Sequence, residues 1–149
     1  MPDPVRPTAF IARPPRAVLF LCVHNSARSQ MAEGFARAFA PRDVQIMSAG
    51  SEPGGVHPRA VEVMSEVGID IAAQRSKPLE AVPWNTADTV VTLCAEGAQA
   101  CPEVPGDVRR VNWQLPDPSG VPEPRQLAAF RESRDEIRWR VASLWPRDD

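Results

Sequence analysis

Residues 17–21 read Ala-Val-Leu-Phe-Leu, a continuous apolar run closed by Cys22, and that run limits the folds open to this chain. A strand that is apolar at every position has two buried faces, so it belongs inside a sheet covered on both sides. Such sheets are mostly parallel and need crossover connections, usually helices. The sequence supplies them. In residues 29–40, Met31, Phe35, Ala38 and Phe39 share one face at helical spacing, and Pro41 ends the pattern. Residues 44–48 read as a second strand, followed by a turn-rich stretch. Pro58 suits the first turn of a helix over 58–67, with Gly68 as its stop. Residues 69–81 show no clear period. Residues 86–93 form a third strand rich in β-branched side chains, and 108–113 a weaker fourth. Residues 124–145 read as a long helix with Leu127, Phe130, Ile137, Val141 and Leu144 along one stripe. Arg134 interrupts that stripe and reads as a snorkelling side chain. The alternation predicts an α/β fold, a four-stranded parallel sheet with helices on both faces.

The chain has 149 residues, enough for one domain, and 43% hydrophobic and 24% charged residues exclude a disordered or fibrous chain. Its formal net charge of -2 suggests neither a nucleic-acid groove nor a basic membrane face. Residues 17–23, the longest apolar run, are too few to span a bilayer, and residues 1–16 lack the apolar core of a secretory signal. A cytoplasmic monomer without cofactor or metal is expected. Five prolines in residues 1–15 predict an extended, flexible arm, and residues 16–149 a single domain. Three cysteines, an odd number, argue against a structural disulfide framework and for redox, metal or nucleophilic use.

In parallel sheets, ligands bind outside the carboxyl ends of the strands. The first strand ends there in Cys22, followed by Val23, His24, Asn25, Ser26, Ala27, Arg28 and Ser29, and then directly by a helix. A loop so placed can turn the backbone N–H groups of residues 23–28 inward, and the helix N-terminus adds partial positive charge. Arg28 offers a planar fork for a tetrahedral oxyanion, and the same field favours a reactive Cys22 thiolate. Ser29 has a hydroxyl to donate to that sulfur.

Residues 22–34, CVHNSARSQMAEG, resemble the active-site loop of thioredoxin-coupled arsenate reductases, which share the low-molecular-weight tyrosine phosphatase fold. The resemblance continues through Ser48-Ala49-Gly50, Val91-Thr92-Leu93-Cys94, Cys101-Pro102 and Asp117-Pro118-Ser119-Gly120, and covers residues 16–146. It implies reduction of arsenate, with phosphate and sulfate as analogues in the loop. It further implies Cys22 as nucleophile, Arg28 as oxyanion ligand, Asp117 as proton donor, and Cys94 and Cys101 as a disulfide relay reduced by thioredoxin. From the residues alone, the Gly- and Ala-containing CAEGAQAC segment reads as one that unwinds to close a Cys94–Cys101 disulfide or as carrying two core cysteines, while zinc ligation with Cys22 and a histidine lacks the usual short paired spacings. His24 stands where such relatives often carry glycine; it reads either as a pocket-lining residue or, the favoured reading, as a side chain pointing to solvent. His57 before Pro58 reads as a helix-start residue.

Some of these relatives bind potassium beside the loop, through residues matching Asn25, Glu33 and Ser48 and through a threonine and an aspartate in the segment matching 71–78. Here that segment carries Arg75 and Lys77, the only lysine beside 16 arginines. The implied outcome is that the Lys77 ammonium stands in for the ion and pairs with Glu33. Three other functions compete: a phosphatase on phosphate esters, a thiol-based arsenite or zinc sensor, and a reductase coupled to mycothiol or glutathione. Cys94 and Cys101 weigh against the first, Cys101 against the last, and arsenate-dependent turnover would separate out the sensor.

Overall fold

The computed structural model describes residues 13–94 and 106–146. Its strands are β1 (Ala17–Cys22), β2 (Gln45–Gly50), β3 (Thr89–Cys94) and β4 (Arg109–Leu115), all parallel, in the order β2-β1-β3-β4. The α-helices are α1 (Arg28–Phe39), α2 (Pro58–Glu66) and α3 (Gln126–Leu144). Short 3₁₀ turns lie at Leu79–Ala81, Trp84–Thr86 and Pro118–Gly120.

β1 is central and buried at every residue, as its uninterrupted apolar run demands. Val18 and Phe20 point into a core shared with Met31, Phe35, Met64, Phe130 and Ile137, so α1, α2 and α3 cover one face. Leu19 and Leu21 point the other way, onto Met47, Ala49 and Val90, with Leu79, Val82 and Trp84 of the 3₁₀ turns closing over them. Each such side chain contributes about 1.5–3 kcal/mol on burial. β4 pairs only with β3 among the described strands, and its exposure alternates along the strand. An outer strand keeps polar residues on its open face, which is why it reads weakly in the sequence.

Element boundaries shift where main-chain contacts decide them. β2 continues two residues past the expected end, to Gly50, which stands opposite Cys22 and donates its N–H to the Lys77 carbonyl at 2.9 Å. β3 starts at Thr89 because Thr86 closes a 3₁₀ turn and the Asp88 carboxylate takes the N–H groups of Arg16 and Ala17 at 2.9 and 3.1 Å. The residues before Gln126 form a turn, with Arg125 N–H on the Pro122 carbonyl, so α3 begins later than Pro124. Arg134 does not snorkel. It is buried, and its guanidinium donates to the Val63 carbonyl at 3.1 Å and to Glu66 at 2.7 Å, satisfying the C-terminal end of α2.

Of the expected arm, residues 1–12 lie outside the described residues. Pro15 is buried, and its carbonyl accepts from Trp145 Nε1 at 2.9 Å. No described helix is long and apolar enough to cross a membrane.

Candidate active site

Cys22, Gly50, Cys94 and Leu115 close the four strands at one edge of the sheet, and the residues that follow Cys22 and Leu115 build the site there. In the loop of residues 23–27, every carbonyl oxygen is engaged. Val23 O accepts from Glu52 N–H at 2.8 Å, Ser26 O from His57 N–H at 2.9 Å, and Ala27 O from Met31 N–H at 2.9 Å. His24 O accepts from Gly54 N–H at 3.0 Å and from the Ser76 hydroxyl at 3.1 Å. Asn25 O accepts from Gln30 Nε2 at 3.0 Å. A planar trans peptide points its N–H opposite to its C=O. With the carbonyls drawn outward, the N–H groups of residues 24–28 turn inward, and inward N–H groups make a concavity of the kind that suits an anion. Ala27 has no side chain to cap α1, whose first donors face the same space.

Two residues make this path sterically feasible. Asn25 has φ +46°, a left-handed conformation that asparagine tolerates better than most residues. Gly50 lies against the loop from outside; a Cβ there would stand 2.6–2.7 Å from Val23 O, Asn25 N and Cys22 O.

The buried Asn25 side chain organises the polar interior. Its Nδ2 donates to the Ser29 hydroxyl at 2.7 Å and to the Ser48 hydroxyl at 3.0 Å. The Ser29 hydroxyl in turn lies 2.9 Å from Cys22 Sγ, placed to donate to that sulfur when it is a thiolate. Ser48 likewise donates to Glu33 Oε1 at 2.5 Å. Asn25 Oδ1 accepts from Gln30 Nε2 and from the Lys77 main-chain N–H, each at 2.9 Å. The Lys77 ammonium donates to the Arg75 carbonyl, lies 3.6 Å from Glu33 Oε1 and stands 3.5 Å from Ser48 Oγ. Arg37 takes the other Glu33 oxygen at 3.0 Å.

Arg28 is 3% exposed and is aimed by two partners: Nη1 donates to the Leu115 carbonyl at 2.9 Å, and Nη2 lies 3.6 Å from Asp117 Oδ2. Burial of the Asp117 carboxyl opposes its ionisation. Hydrogen bonds from the Ser119 hydroxyl and N–H, at 2.7 and 2.9 Å, outweigh it together with the Arg28 and His24 charges, and hold the group below its ordinary value. Cys22, His24, Ser26, Ala27, Arg28, Asp117 and Ser119 enclose a cavity of about 60 Å³.

All the expected loop residues thus meet at one place, and Glu33, Ser48 and Lys77 gather behind the loop. Cys94 ends β3, which pairs directly with β1 at this edge. Cys101 lies outside the described residues. His24 is exposed, as read from the sequence, yet it also lines the cavity. His57 is more than a helix-start residue: its side chain caps α2 by accepting from Arg59 N–H at 3.0 Å, its ring packs on Phe130 at 4.7 Å, and burial lowers its pKa. Gln30 and the main-chain donors of Glu52, Gly54 and His57 are functional parts that sequence reasoning misses. For Gln30 the available signal is a polar residue beside Met31 on the buried side of α1; the main-chain donors leave none.

The family described as low molecular weight phosphotyrosine protein phosphatase matches residues 17–147. An arsenate reductase of Bacillus subtilis (strain 168) is 44% identical over 124 residues, 82% of this chain and 89% of that protein. A solved arsenate reductase in its oxidized state superposes with a TM-score of 0.76 at 40% identity, over 87% of this chain and 95% of the other. A thioredoxin-dependent arsenate reductase of Corynebacterium glutamicum gives 0.71 at 33% identity, over 96% of this chain and 66% of the other. A strand-end thiol in an oxyanion loop, on a four-stranded parallel sheet matched almost end to end, agrees with these likenesses, and the chain belongs to the low molecular weight phosphotyrosine protein phosphatase family, alongside these arsenate reductases.

Proposed function

We propose that this protein reduces arsenate to arsenite through a three-cysteine relay that thioredoxin regenerates. The observation that carries the reading is Cys22 on the floor of an oxyanion-sized cavity, with Cys94 ending the adjacent strand. The similarity to arsenate reductases, one of them thioredoxin-dependent, supports it.

Arsenate enters against the inward N–H groups of residues 24–28 and the Arg28 fork. The Cys22 thiolate, favoured by the Ser29 hydroxyl and the α1 N-terminus, attacks arsenic. An S–As bond forms and an arsenate oxygen leaves as water, taking a proton by way of Asp117. Asp117 is held ionised before substrate arrives, because Arg28 and Ser119 favour its carboxylate. The arsenate, arriving partly protonated, brings the proton that Asp117 passes to the leaving oxygen.

Cys94 then attacks the Cys22 sulfur. The S–S bond forms, the S–As pair stays on arsenic, and arsenic(V) leaves as arsenite. Cys101 attacks Cys94, freeing Cys22, and thioredoxin reduces the Cys94–Cys101 disulfide by ordinary exchange.

Lys77 completes the reading. Its ammonium, beside Glu33 and Ser48, takes the place a cation would hold behind the loop, and the Ser48, Asn25 and Ser29 hydrogen bonds carry its influence to Cys22. The test of the whole is consumption of NADPH by the protein with thioredoxin and thioredoxin reductase, dependent on arsenate. Absence of arsenate-dependent consumption overturns it.

A further inference from the structure

His24 is the exposed side chain of the loop, while residues 25, 27 and 28 are buried. It is nevertheless pinned. Its carbonyl takes Gly54 N–H and the Ser76 hydroxyl, and its ring Nδ1 lies 3.0 Å from the Glu52 carbonyl. A carbonyl only accepts, so Nδ1 carries the hydrogen of that contact. An exposed loop side chain ordinarily keeps its rotamer freedom; this ring is instead tied back at the cavity wall.

The cavity it lines holds about 60 Å³. Pockets that take organic ligands run to about 300–1,000 Å³. Across from His24 the wall is Asp117 and Ser119, and the run Asp117-Pro118-Ser119-Gly120-Val121 has no aromatic face on which an organic group could stack. Among the described lining residues His24 and Ser119 are the exposed ones, and His24 carries the larger side chain.

We propose that His24 is a specificity-determining residue: its imidazole, tied at Nδ1 to the Glu52 carbonyl, narrows the mouth so that a bare tetrahedral oxyanion reaches Cys22 and organic phosphate esters do not. This rests on the oxyanion-loop reading above and sharpens its substrate class. The excluded reaction needs no part the site lacks. Cys22 sulfur would bond to phosphorus as the ester P–O bond breaks, the departing alkoxide or phenolate would take a proton by way of Asp117, and water would release phosphate from the thiol. Geometry at the mouth, not missing chemistry, withholds it.

The probes are 4-nitrophenyl phosphate for the ester and inorganic phosphate, as a competitive inhibitor, for the oxyanion. In His24→Ala, kcat/KM for the ester rises at least about tenfold relative to the inverse inhibition constant of phosphate. His24→Gln, which keeps an amide donor for the Glu52 carbonyl and similar reach, stays near wild type in that ratio. Equal changes for ester and phosphate, or a falling ratio, overturn the proposal, because His24 then supports the loop or recruits esters. A rise as large in His24→Gln overturns it as well. Arsenate-dependent NADPH consumption by the wild type is read separately, so failure of the relay and failure of the His24 assignment give different results.

Discussion

Lys77 reaches Asn25 through its main chain while its ammonium lies beside Glu33: the N–H donates to Asn25 Oδ1 at 2.9 Å, and Nζ stands 3.6 Å from Glu33 Oε1. One residue therefore supports the loop after Cys22 by backbone and balances the carboxylate behind it by charge. Lys77→Ala leaves the backbone contact and removes the charge. Glu33 is buried and keeps Arg37 as its cation beside the Ser48 hydroxyl, so stability falls by about 1–2 kcal/mol. The KM for arsenate rises. Exchanging potassium for sodium at constant ionic strength leaves the wild-type kinetics and Tm unchanged; potassium activation of the wild type would refute the assignment.

The cysteines separate by their failures. Cys22→Ser has no thiolate at neutral pH and gives no arsenite. Cys94→Ser forms no arsenite either, since release depends on attack at the Cys22 sulfur. Cys101→Ser gives one equivalent of arsenite and then accumulates a Cys22–Cys94 disulfide, because Cys22 is buried away from a protein reductant. Mass spectrometry after a single arsenate pulse distinguishes the three; sustained thioredoxin-supported cycling by Cys101→Ser would make that thiol dispensable.

For Asp117→Asn, kcat falls by about 10²–10⁴-fold, the usual weight of a positioned proton donor. Phosphate affinity changes little, because Arg28 keeps its hold on the Leu115 carbonyl. A loss under tenfold assigns the proton transfer to solvent.

Gly50→Ala forces a methyl into contact with three loop atoms at 2.6–2.7 Å, two of them carbonyl oxygens. Backbone cannot swing aside as a flexible side chain can. The variant loses about 1–3 kcal/mol in urea denaturation and binds phosphate more weakly, as the loop is pushed from its path. An unchanged midpoint would mean that β2 relaxes away at no cost.

Glu66 titrates at about 2, held there by hydrogen bonds from Arg131 and Arg134 that outweigh its desolvation. A carboxylate depressed below its ordinary value of 4.5 stabilises the fold above that pH, and the contribution disappears as pH falls from there through 2. Glu66→Gln therefore has a lower Tm than wild type at pH 7, and the gap narrows steadily between pH 5 and 2.5. A gap independent of pH would assign the effect to packing between α2 and α3.

Much of this was readable beforehand, for definite reasons. The run before Cys22 places β1 at the sheet centre because only a doubly buried strand tolerates five apolar residues in a row. Arg28 and Ser29 follow in a stretch too short to lead anywhere but back over the strand end. The pairing of Lys77 with Glu33 was accessible through the resemblance, whose cation ligands match Asn25, Glu33 and Ser48, together with a single lysine in the segment that would supply the rest. What stayed hidden travels through main chain. Nothing in the sequence announces that Leu115 O aims Arg28, that Glu52 N–H draws out Val23 O, or that Gly50 extends β2 against the loop. Arg134 misled for a related reason: a charge in an apolar stripe reads as a stem reaching for water, while here a carbonyl at the end of α2 receives it.

The outward carbonyls of the loop are held largely from residues 52–57, and three of those bonds come from amide hydrogens, not from side chains. Side-chain identity at positions 52 and 54 is thus irrelevant to that grip, and these positions are open to mutational drift while the anion site persists unchanged. The exception is proline, which has no amide hydrogen to give. Substituted at 52 or 57, it would let one carbonyl turn back toward the cavity and replace an attraction with a repulsion; at 54 the Ser76 hydroxyl still holds the His24 carbonyl. Diversity between strand and helix, bounded by a ban on one residue type, is the evolutionary signature such a collar should leave.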